Sequence, residues 1–280
     1  MKTNATQTTA GLYNNCERNR AFTLIELVVV MATLAVLAVL ILPALAKSGD
    51  NGARMVCLNN LRQLGTALNL YTGENQDYMP WPNWGSDDSP PCPRGWLYAG
   101  RPYPWPITGY HPPSVTYWQS YWVPRLKSGV CWQYIQNPNV FMCPVDAAVN
   151  VGNYLWLTRP NKLSTYIMNG ASCYFPPNGN NATYGYATCK ESQIWSPLCI
   201  LLWEPDQNMD NNCYNDGASY PGPEPASSAQ EGLANLHVTG GDVLTVSGSA
   251  QCMTVAGYTN ELSIHTKNRL WWNPQSGNGR

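Results

Sequence analysis

Ala21-Phe22-Thr23-Leu24-Ile25-Glu26-Leu27 opens an apolar stretch that runs to Leu42 with Glu26 as its one charge. The twenty-one residues from Phe22 to Leu42 would rise roughly 32 Å as a helix, against a bilayer core of ~30 Å. A secretory signal has an apolar region of only about 7–15 residues before its cleavage site. This run is longer and continues into helix-compatible Pro43-Ala44-Leu45-Ala46-Lys47. A plain anchor leaves Glu26 unexplained, because an ionisable group in hydrocarbon costs on the order of 2.5–3.5 kcal/mol. The pattern predicts a transmembrane helix over 22–43 whose carboxylate has a partner.

Beyond Pro43 the helical pattern resumes over 44–72. Ala53, Cys57, Leu61, Leu64, Leu68 and Tyr71 form an apolar stripe, with Asn59, Asn60, Arg62 and Gln63 on the polar side. The weak point is Lys47-Ser48-Gly49-Asp50-Asn51-Gly52, where each glycine costs about 1 kcal/mol relative to Ala. A kink or melted turn is expected there, with Pro43 contributing, and Gly73 is expected to end the helix.

Residues 73–135 are dense in Pro, Trp and Tyr, as in Tyr78-Met79-Pro80-Trp81-Pro82 and Pro102-Tyr103-Pro104-Trp105-Pro106. Such proline density blocks regular helix and central strand, so this is read as a long loop region with a short helix near Val115–Leu126. Strands are expected within 136–280, at Val140–Cys143, Ser164–Met168, Tyr184–Thr188, Leu198–Trp203, Ala234–Val238, Asp242–Val246 and Ala250–Val255. Leu198–Trp203 is the best central strand, and Val246-Ser247-Gly248-Ser249 reads as a tight hairpin. An amphipathic helix and an antiparallel sheet bury their apolar faces on each other. The expected fold is therefore α+β, a lollipop of long helix and C-terminal antiparallel sheet, with a Pro/Trp-rich loop insertion.

Composition narrows the function classes. Removing residues 1–21, which hold Lys2, Arg18 and Arg20 against Glu17, turns the formal charge of −1 into −3, so no nucleic-acid partner is expected. Of ten cysteines, nine follow the apolar segment, and no C-x-x-C occurs, which argues against a zinc ribbon or a thioredoxin motif. Scattered cysteines suit disulfides outside the cytosol or buried free thiols; with nine, at least one is unpaired. No G-x-x-x-x-G-K-[ST], H-E-x-x-H or G-x-S-x-G is present, and no enzyme is expected. Glu204-Pro205-Asp206-Gln207-Asn208-Met209-Asp210 places oxygen ligands on alternate residues, which suits calcium or an ordinary solvated loop. No other cofactor is expected. Twelve Trp and seventeen Tyr against three Phe suit half-wet surfaces, either a self-packed loop or a carbohydrate-binding face.

Ala21 followed by Phe22-Thr23-Leu24-Ile25-Glu26-Leu27 resembles the type IV prepilin signature of pilins and type II secretion pseudopilins, where Gly usually stands in place of Ala21. The resemblance implies a leader over 1–21 and scission by prepilin peptidase between Ala21 and Phe22. It further implies methylation of the Phe22 amine and pairing of Glu26 with that amine on a neighbouring copy. Pairing would offset desolvation and set the axial register. The implied protein is a single-pass inner-membrane subunit, its globular domain periplasmic or extracellular. It would assemble with copies of itself, with other pseudopilins and with an inner-membrane secretion platform, into a pseudopilus or pilus serving protein secretion. The alternative is a minor or tip pilin whose Trp/Tyr-rich domain binds carbohydrate. G-type secretion pseudopilins also hold calcium in a C-terminal loop, which strengthens interest in Glu204, Asp206, Asn208 and Asp210.

Cys57-Leu58-Asn59-Asn60-Leu61-Arg62-Gln63-Leu64-Gly65, Phe141-Met142-Cys143-Pro144-Val145-Asp146, Tyr166-Ile167-Met168-Asn169 and a terminal His237 with Ser247-Gly248 follow one another along the chain. They are similar to the ordered motifs of a pseudopilin-like group abundant in Planctomycetes and Verrucomicrobia, with Ser247 in place of the Asp of its H-x9-D-G element. A disulfide between Cys57 and Cys143 is expected to tie helix to sheet. His237 is expected to hydrogen-bond within the sheet, with a ligand or acid–base role as the alternative.

Overall fold

A computed structural model describes residues 23–84, 93–99, 122–146, 159, 161–175, 186–206, 214, 216–222, 232–237 and 239–280, with backbone alone for 40–50. It has two compact units, Met1–Lys47 and Ser48–Arg280.

Helix α1 (Leu24–Glu74) begins in the first unit. Its start is a capping box. Glu26 Oε2 accepts from the Thr23 backbone N–H (2.8 Å) and hydroxyl (2.7 Å), while Thr23 Oγ1 accepts from the Glu26 N–H (3.3 Å). Backbone donors that a helix start leaves orphaned are thereby satisfied. Every side chain from Thr23 to Val39 is exposed. Among the described residues, no helix is long and apolar enough to cross a membrane. This overturns the transmembrane assignment of 22–43.

The turn expected to melt between Pro43 and Gly52 is helical. Gly73 lies inside the last turn of α1, and the chain reverses instead through Gln76 (φ 57°) and Asp77 (φ 74°). The Asp77 N–H closes the end by donating to Thr72 O at 2.9 Å.

Five strands form one sheet in the second unit: β1 (Ile167–Asn169), β2 (Ile200–Trp203), β3 (Ala218–Ser219), β4 (Gly241–Thr245) and β5 (Ala250–Met253), in the order β3-β1-β2-β4-β5. The β1–β2, β2–β4 and β4–β5 pairs are antiparallel, but β1 and β3 run parallel. The sheet is therefore mixed, which corrects the wholly antiparallel expectation. Two-residue β3 is set beside β1 because Met168 N–H donates to Gly217 O (2.9 Å) and Asp216 Oδ1 accepts from Ala218 N–H (2.9 Å). Central β2 is buried along its whole length, as its apolar run requires. Val140–Cys143 is no strand: Pro138–Phe141 forms a 3-10 turn capped by the Asn137 side chain. Short helices α2 (Val123–Leu126) and α3 (Trp132–Ile135) precede it. Beyond β5, Thr254 caps helix α4 (Val255–Leu262) through Gly257 N–H.

The Pro/aromatic-rich region is no peripheral insertion where it is described. The Trp96 indole donates to Pro82 O (3.1 Å) and Gly217 O (3.0 Å), and Asn83 Oδ1 accepts from Leu97 N–H (3.0 Å). Seven of the nine described tryptophans are buried, so their rings serve the core.

Cys57, Leu61, Leu64 and Leu68 bury the expected face of α1. Asn60 joins them, contrary to its polar-side assignment, because its amide donates to Met142 O (3.1 Å). Helix and hairpin meet at Gly65: a Cβ there would stand 3.0 Å from Gly248 Cα and from Leu244 Cδ1. Gly248 itself has φ +81°, the left-handed region that glycine tolerates. Gly65→Val should therefore destabilise the second unit by about 1–3 kcal/mol, read as a lowered denaturation midpoint.

Candidate metal centre

Four separated segments deliver four side chains to one buried point. Cys57 comes from the packed face of α1, Cys143 from the end of the 3-10 turn, Glu204 from the residue after β2, and His237 from a turn closed by reciprocal backbone bonds with Gly240 (2.9 and 2.7 Å). One ligand atom from each lies within 4.8 Å of the others, and all four residues are fully buried. Glu204 points inward because its backbone is held on both sides. Its N–H donates to Asp242 O (3.3 Å) and its carbonyl accepts from Ala234 N–H (2.8 Å).

Cys57 Sγ donates to Glu204 Oε1 at 2.9 Å and meets the Tyr166 hydroxyl at 2.9 Å. Glu204 Oε2 accepts from Asp242 N–H at 2.8 Å. His237 Nε2 stands 3.5 Å from Glu204 Oε2, 3.4 Å from Asp242 Oδ2 and 3.7 Å from Cys143 Sγ. Arg54 Nε lies 3.6 Å from Asp242 Oδ1. Even so, His237 Nδ1 and both Asp242 carboxylate oxygens are buried without a hydrogen bond.

Burial, reinforced by Cys143 and the Glu204 charge, pushes the Cys57 thiol far up, so it holds its proton. For His237, burial opposes the charged ring, but Cys143 and Glu204 outweigh it and raise the group to about 10. Burial likewise opposes the Glu204 carboxylate; His237, Cys57 and the Asp242 N–H reverse that and leave it lowered. Asp242 is pushed up to about 7, first by burial and then by the Glu204 charge. All four donors are fully buried, and the cluster can hold charge or an ion.

The other expected site residues fall differently. Ala21 and Phe22, the scission and methylation positions, lie outside the described residues. Glu26 caps its own helix. Cys57 and Cys143 come together as expected, but as free thiols, which corrects the disulfide assignment: the Cys57 sulfur is engaged by Tyr166 and Glu204. Of the oxygen-rich loop, Glu204 faces the core while Asp206 is half-buried, so Glu204 is committed away from a surface calcium ion; Asn208 and Asp210 lie outside the described residues. The His237 backbone pairs with Gly240 in a turn outside the sheet rather than within it, and its ring joins the cluster. Ser247 is exposed at the hairpin, its hydroxyl 2.9 Å from Thr245 Oγ1 and its N–H on Pro197 O (3.0 Å); this position shapes the turn. Sequence reasoning does not reach Tyr166, Asp242 or Arg54 as members of the cluster. The one available signal is a glutamate directly after the most apolar strand.

The motif residues share one region. Asn169 donates to Ile200 O (3.1 Å) and Leu270 O (2.8 Å), and Asp146 forms a two-pronged ion pair with Arg159 (2.7 Å each), both buried. Asp146→Ala would strand a buried guanidinium and should cost about 3–5 kcal/mol in denaturant unfolding. The double change Asp146→Ala with Arg159→Met should recover most of that loss. No protein-family model, curated protein or solved structure matches the chain.

Proposed function

We propose that the chain is a structural subunit, processed ahead of Phe22 and assembled through its N-terminal helix into a filament, a periplasmic pseudopilus or a pilus serving protein secretion. The observation that carries this reading is the start of α1. From Leu24 to Val39 the helix is apolar on all sides apart from Glu26 and Thr33, and every side chain is exposed, Leu24 at 81% and Ile25 at 71%. A helix apolar all round requires cover. The same segment of other copies supplies it, and the lone carboxylate among those apolar residues then needs a cation from a neighbour. Scission ahead of Phe22 would create one, the new α-amine. The Phe22–Leu27 motif supports that scission.

Glu26 has two separable jobs in this reading, capping and charge pairing. Gln also completes a capping box but carries no charge. Glu26→Gln should therefore keep the helix content of the wild type and fail to polymerise, each contact being weakened by about 3–5 kcal/mol through loss of one member of a buried pair. Circular dichroism and electron microscopy of filaments read the two effects. Normal filaments from Glu26→Gln would refute the charge-pairing role, and a native chain not starting at N-methylated Phe22 by mass spectrometry would refute the processing.

A further inference from the structure

We propose that Cys57, Cys143, Glu204 and His237 form a structural site for a divalent transition cation of the zinc class. This stands independently of the filament reading. Distances between donors carry it. Around a tetrahedral zinc ion, with bonds of ~2.3 Å to sulfur and ~2.0 Å to nitrogen or oxygen, neighbouring donors stand about 3.3–3.8 Å apart. His237 Nε2 lies 3.7 Å from Cys143 Sγ and 3.5 Å from Glu204 Oε2. The nitrogen–oxygen separation is long for a hydrogen bond, and both separations match edges of such a tetrahedron. The 2.9 Å contact of Cys57 Sγ with Glu204 Oε1 is a thiol hydrogen bond. Metal binding would replace it, with the thiol protons of Cys57 and Cys143 and the Nε2 proton of His237 passing to solvent, so that both sulfurs become thiolates and the imidazole ligates in its neutral form.

The donor chemistry chooses the cation class. Two sulfurs and an imidazole favour zinc and its neighbours over calcium or magnesium, which take oxygen cages. All four donors belong to the protein and all are buried, the closed arrangement of a structural rather than a catalytic ion. A second observation points the same way. Asp242 is completely buried, neither of its carboxyl oxygens has a hydrogen bond, and Oδ2 sits 3.4 Å from His237 Nε2, so oxygens that no hydrogen bond satisfies stand beside the donors. A bound cation would give those oxygens a counter-charge, alongside Arg54 Nε at 3.6 Å from Asp242 Oδ1. Tyr166 and the Asp242 N–H, each within 2.9 Å of a ligand atom, would orient Cys57 and Glu204 from outside the coordination shell. The stretches Cys57–Gly65, Phe141–Asp146 and Tyr166–Asn169 each contribute one residue to this site or its support, and the last stretch, His237–Gly248, contributes two, His237 and Asp242.

The test uses the full chain, purified under reducing conditions in mild detergent to keep the exposed helix soluble. Elemental analysis should find one equivalent of zinc. Exchange for cobalt(II) should produce thiolate charge-transfer bands and the intense visible bands of a tetrahedral site. Cys143→Ser and His237→Ala should lose the equivalent of metal, whereas Tyr166→Phe should keep the cobalt spectrum with affinity lowered about 10- to 100-fold. Wild-type protein that takes up neither zinc nor cobalt overturns the proposal, as does a Cys57–Cys143 disulfide found by non-reducing peptide mapping of the native chain. Both readings are made on the wild type, so a variant that fails to fold does not blur the answer.

Discussion

The constraint on which the second unit turns is one buried carboxylate. Glu204 ends the central strand with no exposed surface, and a buried charge must find partners or lose its ionisation. Those partners come from three other places: the thiol of Cys57 on α1, the backbone of Asp242 on β4 and the ring of His237 in the turn before β4. None can be reached unless helix, sheet and turn are all seated. Moving α1 by a single helical turn would displace Cys57 by ~5.4 Å and break its contact. Apolar burial draws the helix onto the sheet, and this polar junction chooses where along the sheet it stops.

Polar side chains take the same part elsewhere in the unit. Only 12% of residues are charged, yet Asp146 with Arg159, and Asp242 near Arg54, are spent inside. Buried asparagines do the equivalent for irregular backbone. Asn83 receives Leu97 N–H, Asn161 receives Leu163 N–H, and Asn268 receives the N–H groups of Leu270 and Trp271. Proline-rich segments cannot form ladders, so their backbone donors need such side-chain acceptors if they are to be buried. This explains how a region dense in proline and tryptophan can pack as core.

Local patterns are legible in the sequence where one segment suffices to define them. Ile200–Trp203 announces itself as a central strand by an uninterrupted apolar run, and the packed face of α1 by Cys57, Leu61, Leu64 and Leu68. The hairpin around Gly248 is legible from its Ser-Gly pair, but its loop is three residues, 246–248, rather than the expected two, because Thr245 pairs with Ser249. The features that escape depend on distant residues. Asn60 looks solvent-facing until the carbonyl of Met142 is placed above it. The parallel β3 is two residues long, with no periodicity to detect. The cluster draws on positions 57, 143, 204 and 237, and the two cysteines alone suggest a disulfide because nothing local reveals that a glutamate and a histidine lie between the same elements.

The Thr23–Glu26 box bears on the proposed processing ahead of Phe22. Its residues all lie on the C-terminal side of the Ala21–Phe22 bond, so the helix is sealed by groups that belong wholly to the downstream product. Cutting that bond would remove no hydrogen bond from the box, and the new end would emerge one residue away from an already formed first turn. If the chain is processed as proposed, residues 1–21 would be lost without breaking the bonds that close the helix start.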